Sequence, residues 1–350
     1  MRDDGQKYCS GVWGSSSTRY FYEITPEKIL NAVENYGFRC TGRCLSLNSM
    51  ENRVYEVEIE PTGDLDNFYD RFRVVKFYRP NRWTKEQILE EHQFLFDMEE
   101  ADIPVAPPLK CNGTSIQKLD EENIYFAVFP KIGGRSPNEL NSEQLIRLGR
   151  LFGRVHNVGA KRNFDYRLKL NPTTYGLDNM NYLLSENIIT PELVSLFKSL
   201  VEQICEISQP LFNQFPVQRV HGDAHLGNIL WREPDGVTLL DLDDTVFAPV
   251  VQDMWLLIQG RDDEARQRLK VFLKGYEEMR SFDRGSLVLI EPLRALRMIH
   301  YSAWIAHRRD DPVFQRTFHN FGTQQYWMEL VADLQDQLSV IQDNSFWIRY

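Results

Sequence analysis

Apolar positions recur at two different spacings along this chain, and the change of spacing divides it. Thr25-Pro26-Glu27 marks a helix start, with Thr25 as N-cap and Pro26 at the first helical position, and Gly37 marks its end. The pattern then alternates. Segments 38–48, 53–60 and 71–78 are rich in β-branched and aromatic residues and predict strands. A helix is predicted over 81–98, with Ile88, Leu95 and Met98 on one side. Ile103-Pro104 ends it, and the apolar run 124–129 predicts a buried strand. Gly133-Gly134 breaks that pattern.

From 140 onward helical spacing dominates. Leu145, Leu148, Phe152 and Val155 line one face of a helix predicted over 141–158, and 191–215 predicts another. The stretch 217–245 interrupts with two short strands, after which helices return past Pro249. The expected organisation is α+β and bilobal: an extension over 1–20, a small mixed lobe over 21–130 with an antiparallel sheet, and a larger, mostly helical lobe over 131–350. A chain of 350 residues is long enough for two such cores.

Charge and cysteine usage narrow the function classes. The net charge of −10 disfavours nucleic acid and anionic membrane surfaces as partners. No stretch approaches the ~20 apolar residues of a membrane span, and MRDDGQKYCS lacks the apolar core of a signal peptide. The five cysteines, Cys9, Cys40, Cys44, Cys111 and Cys205, include no C-x-x-C pair and fit free thiols in a reducing cytoplasm. Cys40 and Cys44 could be half a zinc site, but no second pair follows. Asn112-Gly-Thr114 matches a glycosylation acceptor and reads as a turn.

The chemistry concentrates in 219–244, RVHGDAHLGNILWREPDGVTLLDLDD. His221-x-Asp223-x-x-x-x-Asn228 has the spacing of a kinase catalytic loop, in which the Asp takes the acceptor proton and the Asn oxygen binds magnesium. A strand from Asn228, a Pro234-Asp235-Gly236 turn and a strand returning to Asp241 would set Asn228 and Asp241 nearly opposite, as two hard-cation ligands. A rival reading places His221, Asp223 and His225 on one strand face as a hydrolase metal site. Gly222 and Gly227 argue against a regular strand there.

Upstream, Arg73-Val-Val-Lys76 looks like the kinase strand whose Lys pairs with ATP phosphates and with a helix Glu. Val74 would face the adenine. Glu91 is the preferred partner and Glu90 the alternative. No G-x-G-x-x-G or Walker motif occurs, so the polar 48–52 turn would meet phosphates through backbone N–H groups and the Ser49 hydroxyl. Lys76→Ala is expected to cut turnover with little loss of stability. A non-catalytic pseudokinase usually lacks the Lys, the Asp or the metal Asp, and all three are present.

His221-Gly-Asp223-x-x-x-Gly227-Asn228 with Asp241 resembles the aminoglycoside phosphotransferase and choline kinase superfamily. The longer strings Leu47-Asn-Ser-Met-Glu-Asn-Arg-Val-Tyr55, Val74-Val-Lys-Phe-Tyr-Arg-Pro80, Gln87-Ile-Leu-Glu-Glu-His-Gln-Phe94, Tyr125-Phe-Ala-Val-Phe-Pro130 and Pro249-Val-Val-Gln-Asp-Met-Trp255 resemble the bacterial stress response kinase A family, over about 21–350. The resemblance implies a cytoplasmic, magnesium-dependent serine/threonine protein kinase of stress responses that phosphorylates itself and other proteins. It would act as a monomer, with ATP and protein hydroxyls as partners. It implies Asp223 and Asp241 as catalytic residues, Asn228 and Asp241 as magnesium ligands, and Ser49, Val74, Lys76, Glu91 and Phe129 as ATP contacts. His221 and Asp253 would brace the catalytic loop. Asp241-Leu-Asp-Asp244 stands where protein kinases have D-F-G, which argues against a movable activation segment. Small-molecule kinases of the superfamily share these catalytic residues, so they stay open as the alternative.

Overall fold

The computed structural model describes residues 21, 24–61, 63, 67–119, 123–232, 236–343 and 346–347. The expected extension over 1–20, Cys9 and the Pro234-Asp235 part of the predicted turn lie outside these. The chain divides into two compact units, one reaching residue 136 and including 229–243, the other formed by 137–228 and 244–350. This differs from a division at 130/131 by chain order, because the 229–243 segment packs with the first unit.

Helix α1 (Pro26–Glu34) starts as expected: the Thr25 hydroxyl accepts from the Lys28 N–H, and Pro26 opens the first turn. A five-stranded antiparallel sheet follows, made of β1 (Cys40–Ser46), β2 (Arg53–Ile59), β3 (Phe72–Phe77), β4 (Gln117–Leu119) and β5 (Ile124–Pro130), in the order β1-β2-β3-β5-β4. Period-2 alternation sends Val57, Ile59, Val75, Phe77, Phe126 and Val128 to one face. There they bury against Phe21, Ile29 and Val33.

Helix α2 runs over Lys85–Glu100 and not from 81. Asn81 has a left-handed backbone, φ 62°, which a helix interior excludes. Thr84 and Gln87 then form a reciprocal capping box. His92 anchors the helix from its buried side, between the Tyr78 hydroxyl at 2.7 Å and the Ser115 hydroxyl at 2.8 Å.

The second unit opens with α3 (Ser142–Gly159), α4 (Asp178–Ser185) and α5 (Pro191–Phe212). The expected apolar face of α3 is buried: Leu145, Leu148, Phe152 and Val155. The region read as two strands holds three, β6 (Gln218–Val220), β7 (Ile229–Arg232) and β8 (Gly236–Leu239), and β9 (Val246–Ala248) follows directly. β6 pairs with β9, while β7 and β8 form the antiparallel hairpin of the first unit. Three-residue strands are too short to show a period, so β6 left no trace in the sequence. Helices α6 (Val251–Leu257), α7 (Asp263–Glu277), α8 (Ile290–Ala306), α9 (Pro312–Thr317) and α10 (Gln324–Asp343) complete the chain. Among the described residues no helix is long and apolar enough to cross a membrane.

α3 and α7 approach at backbone contact. A Cβ on Gly149 would sit 2.1 Å from the Phe272 carbonyl oxygen, and one on Gly275 would sit 2.1 Å from that of Ile146. Only glycine permits this crossing. Gly275→Val is expected to cost about 3 kcal/mol, the upper end for overpacking, as a lower urea midpoint at unchanged denaturant slope.

Candidate active site

β3 carries Lys76 and Val74 on the face away from the core, since Val75 and Phe77 point inward. The register pairs Lys76 with Ala127 and Val74 with Phe129. Two of the expected ATP contacts, Val74 and Phe129, are therefore direct cross-strand neighbours beside the Lys. The Lys76 ammonium also lies 5.0 Å from the centre of the Tyr78 ring.

Lys76 is buried, 7% exposed, and three carboxylates surround its ammonium. Asp243 Oδ1 is 2.8 Å away, Asp241 Oδ1 3.4 Å and Glu91 Oε1 3.5 Å. The Asp243 contact is a charge pair, its angles being poor for a directed hydrogen bond. Burial pushes the ammonium's pKa down, but Asp243, Glu91 and Asp241 together hold it well above its ordinary value. Glu91, 1% exposed on the buried face of α2 with Ile88 and Leu95, is thus the helix partner, rather than Glu90.

Asp241 lies just beyond β8, whose ladder ends at Ile229↔Leu239. Its backbone turns left-handed, φ 54°, and its side chain is 57% exposed. The expected returning strand does not reach it.

Asp243, the nearest anion to Lys76, was not among the expected site residues. Its other oxygen pairs with the guanidinium of Arg82. Arg82 is also 3.8 Å from Glu51 Oε1, which Arg79 approaches at 2.9 Å. Arg79 further donates to the Glu51 carbonyl at 3.0 Å, and its N–H donates to Asn52 Oδ1 at 3.1 Å. Half-buried Ser49 stands directly before this braced stretch.

In the second unit, the loop after β6 turns on Gly222, φ 88°, where a Cβ would lie 2.1 Å from the Asp244 carbonyl oxygen. Asp253, fully buried on α6, accepts from the N–H of His221 at 2.9 Å and of Gly222 at 2.8 Å. It also meets His156 Nε2 at 3.0 Å, and His156 Nδ1 meets the Tyr276 hydroxyl at 2.9 Å. Asp253 thus braces the loop, while His221 contributes its backbone N–H. His156 and Tyr276 lie in helices whose sequences look purely structural.

Two donors fix the Asp223 carbonyl: the His225 N–H at 2.9 Å and Asn228 Nδ2 at 3.0 Å. With Nδ2 so used, the acceptor atom of the Asn228 amide is Oδ1. Burial raises the Asp223 pKa, but the His225 hydrogen bond and the Arg297 charge outweigh it and hold the carboxyl below its usual range. Asp223 is therefore ionised at neutral pH.

The two-histidine hydrolase site is not assembled. Gly222 breaks the strand alternation it needs, His221 is 1% exposed, and His225 leans on Asp223 at 3.3 Å. Among the described residues no cluster of three or more His, Cys, Asp or Glu side chains is arranged to hold a metal, and Cys40 and Cys44 are free thiols. Asp241 is the exposed member of the group of carboxylates around Lys76.

The model of the Phosphotransferase enzyme family matches residues 46–287. Stress response kinase A of Escherichia coli (strain K12) is 38% identical over 94% of this chain and 97% of that protein. This chain belongs to the phosphotransferase enzyme family, in its stress response kinase A branch. Serine/threonine protein kinase RdoA of Salmonella typhimurium is 35% identical over 92% of this chain and 95% of that protein. Among solved structures, amicoumacin kinase hAmiN in complex with AMP-PNP, Ca2+ and Ami has the same fold, with a TM-score of 0.67 and 17% identity over 93% of this chain and 95% of that one. The sheet-based lobe and the helical lobe of this phosphotransferase are those of the aminoglycoside phosphotransferase and choline kinase-like fold.

Two outcomes follow for stability. Asp253→Ala strands two buried N–H groups and should cost about 3 kcal/mol, read from urea unfolding. Lys76→Ala takes the cation from Glu91 and Asp243, both buried, so the expectation of an undisturbed fold is revised. A loss of about 3–5 kcal/mol is expected in the same measurement, partly restored by adding Glu91→Gln.

Proposed function

We propose that this phosphotransferase transfers the γ-phosphoryl group of ATP, as its magnesium complex, to serine and threonine hydroxyls of proteins, itself included, in a cytoplasmic stress response. One observation carries the kinase part: a buried Lys76 ammonium held by Glu91 and two aspartates on the sheet face that carries Val74 and Phe129. A hydrolase built on 221–244 alone has no use for it. The protein acceptor is supported by the serine/threonine kinase name of the Salmonella relative. The ATP analogue and Ca2+ of the amicoumacin complex support a nucleotide with a divalent ion.

The roles divide between the units. Lys76 attracts the α- and β-phosphate oxygens while Glu91 fixes where its ammonium stands. Val74 and Phe129 offer apolar contact to the adenine, and the 48–52 turn with Ser49 offers donors to phosphate. Asn228 and Asp241 would hold the magnesium, which supplies charge neutralisation on the phosphates when bound. Asp223 accepts the hydrogen bond of the acceptor hydroxyl, orienting its oxygen in line. As the acceptor O–P bond forms and the bond to the ADP oxygen breaks, the proton passes to Asp223. No phosphoenzyme on Asp is needed, and positioning supplies the rate.

Transfer from labelled ATP, tested once with generic protein acceptors and once with a panel of small hydroxyl compounds, separates this reading from a small-molecule kinase. Label on the metabolites alone would refute the protein acceptor. Asp223→Asn should abolish transfer while ATP binding, followed by thermal shift, persists. Asp241→Ala should lose both. Lys76→Ala should lower turnover of the folded fraction by about 10²–10³-fold, and Glu91→Ala by less, the two being non-additive. Wild-type turnover by Asp223→Asn would sink the assignment of the base.

A further inference from the structure

Asp223 is held from one more side, by a residue that no motif points to. Arg297, in the middle of α8, brings Nη1 to 2.9 Å from Asp223 Oδ1. The pair is held by charge rather than by a well-aligned hydrogen bond. Among the described residues, Asp223 Oδ2 meets the longer, 3.3 Å hydrogen-bond approach of His225 Nε2, a side chain itself 38% exposed. The Asp223 carbonyl is already fixed by Asn228 and by the His225 N–H, and of the two carboxylate oxygens Oδ2 has the longer contact.

Two features set this pair apart from a surface salt bridge of little consequence. The Asp223 side chain is only 22% exposed, so the charge it meets is poorly screened. The helix beneath Arg297 is rigid, with Leu293, Leu296 and Ile299 buried to 1% or less. Arg297 itself stays 40% exposed, and a guanidinium has five N–H donors. One turn further along α8 stands Tyr301, 44% exposed. The carboxylate is thus held from a solvent-facing helix side that an incoming hydroxyl can reach.

We infer that Arg297 is an acceptor-side positioning residue: it pins Asp223 through Oδ1 so that Oδ2 is presented to the acceptor hydroxyl. The inference rests on the kinase reading above and adds to it the group that sets the rotamer of the base. Without Arg297, Asp223 would still be ionised and Lys76 untouched, so nucleotide binding would persist. The carboxylate would then swing about its side-chain bonds and meet the hydroxyl in the right geometry less often.

The test compares the unsubstituted chain with Arg297→Ala, Arg297→Gln and Arg297→Lys. Labelled ATP, magnesium and casein are used, with self-phosphorylation as a second acceptor. Arg297→Ala should lower kcat by about ten- to a hundredfold, less than the roughly 10²–10⁴-fold that a positioned proton acceptor contributes in full. KM for ATP should change less than about twofold, as expected for loss of an interaction made in transfer and not in nucleotide binding. Arg297→Lys should restore most of the rate, because its charge reaches the same oxygen, and Arg297→Gln little. Should the Ala variant fail to fold, the Gln and Lys pair decides by the same comparison. Unchanged kcat in all variants, a loss that appears in KM for ATP, or a Lys variant no better than Gln would each overturn the inference while leaving the kinase reading intact. If the unsubstituted chain transfers nothing to either acceptor, the protein-acceptor reading falls and the inference falls with it.

Discussion

The buried ammonium of Lys76 is the charge around which the first unit is arranged. An isolated cation at 7% exposure would be expelled or neutralised. It persists because Asp243, Asp241 and Glu91 stand within 3.5 Å, one on α2 and two just past β8. That requirement ties the sheet, the helix and the β7–β8 hairpin into one unit, although the hairpin lies far along the chain. It also explains why 229–243 belongs with the sheet rather than with the helices that flank it in sequence. Arg79 and Arg82 extend the network from Lys76, so that Glu51, Glu91, Asp241 and Asp243 are all in it. Of these carboxylates, the Asp241 side chain is the exposed one.

The same network bears on the missing glycine-rich turn. A glycine loop meets phosphate by letting its backbone come close. Here the 48–52 turn has side chains throughout, and its shape is set from behind by Arg79 and Arg82 acting on Glu51 and Asn52. Rigidity comes from buried guanidinium groups, whose planar heads each satisfy several acceptors at once. A turn so braced is pre-formed.

What was legible in the sequence follows from how local each signal is. Thr25-Pro26, the alternation in β2 and β3, and the apolar face of α3 depend on residues a few positions apart, and each element stands where it was expected. Lys76 with Glu91 was legible because a strand period and a helix period each fix one face. Asp243 was not, although it is the nearest anion to Lys76. Its role depends on the left-handed backbone at Asp241, which changes the direction of the chain two residues earlier. Nor could spacing show Arg79 and Arg82 as supports of a turn some thirty residues upstream, or where α2 begins, since the left-handed Asn81 overrides a helical pattern. Asp253 was placed by resemblance. The His156 and Tyr276 behind it have no local signature, because they come together only when α3 and α7 cross.

That crossing has a reach beyond packing. His156 lies on α3 and Tyr276 on α7, and through Asp253 they end on the backbone of His221 and Gly222. The glycine contact between the two helices is therefore the datum from which the catalytic loop is measured. In a screen of random variants, Gly149 and Gly275 would behave like catalytic positions, losing function for any side chain however conservative, although neither touches a reacting atom. A map of functional sensitivity drawn for this protein would show a hot stripe inside an ordinary-looking helix pair.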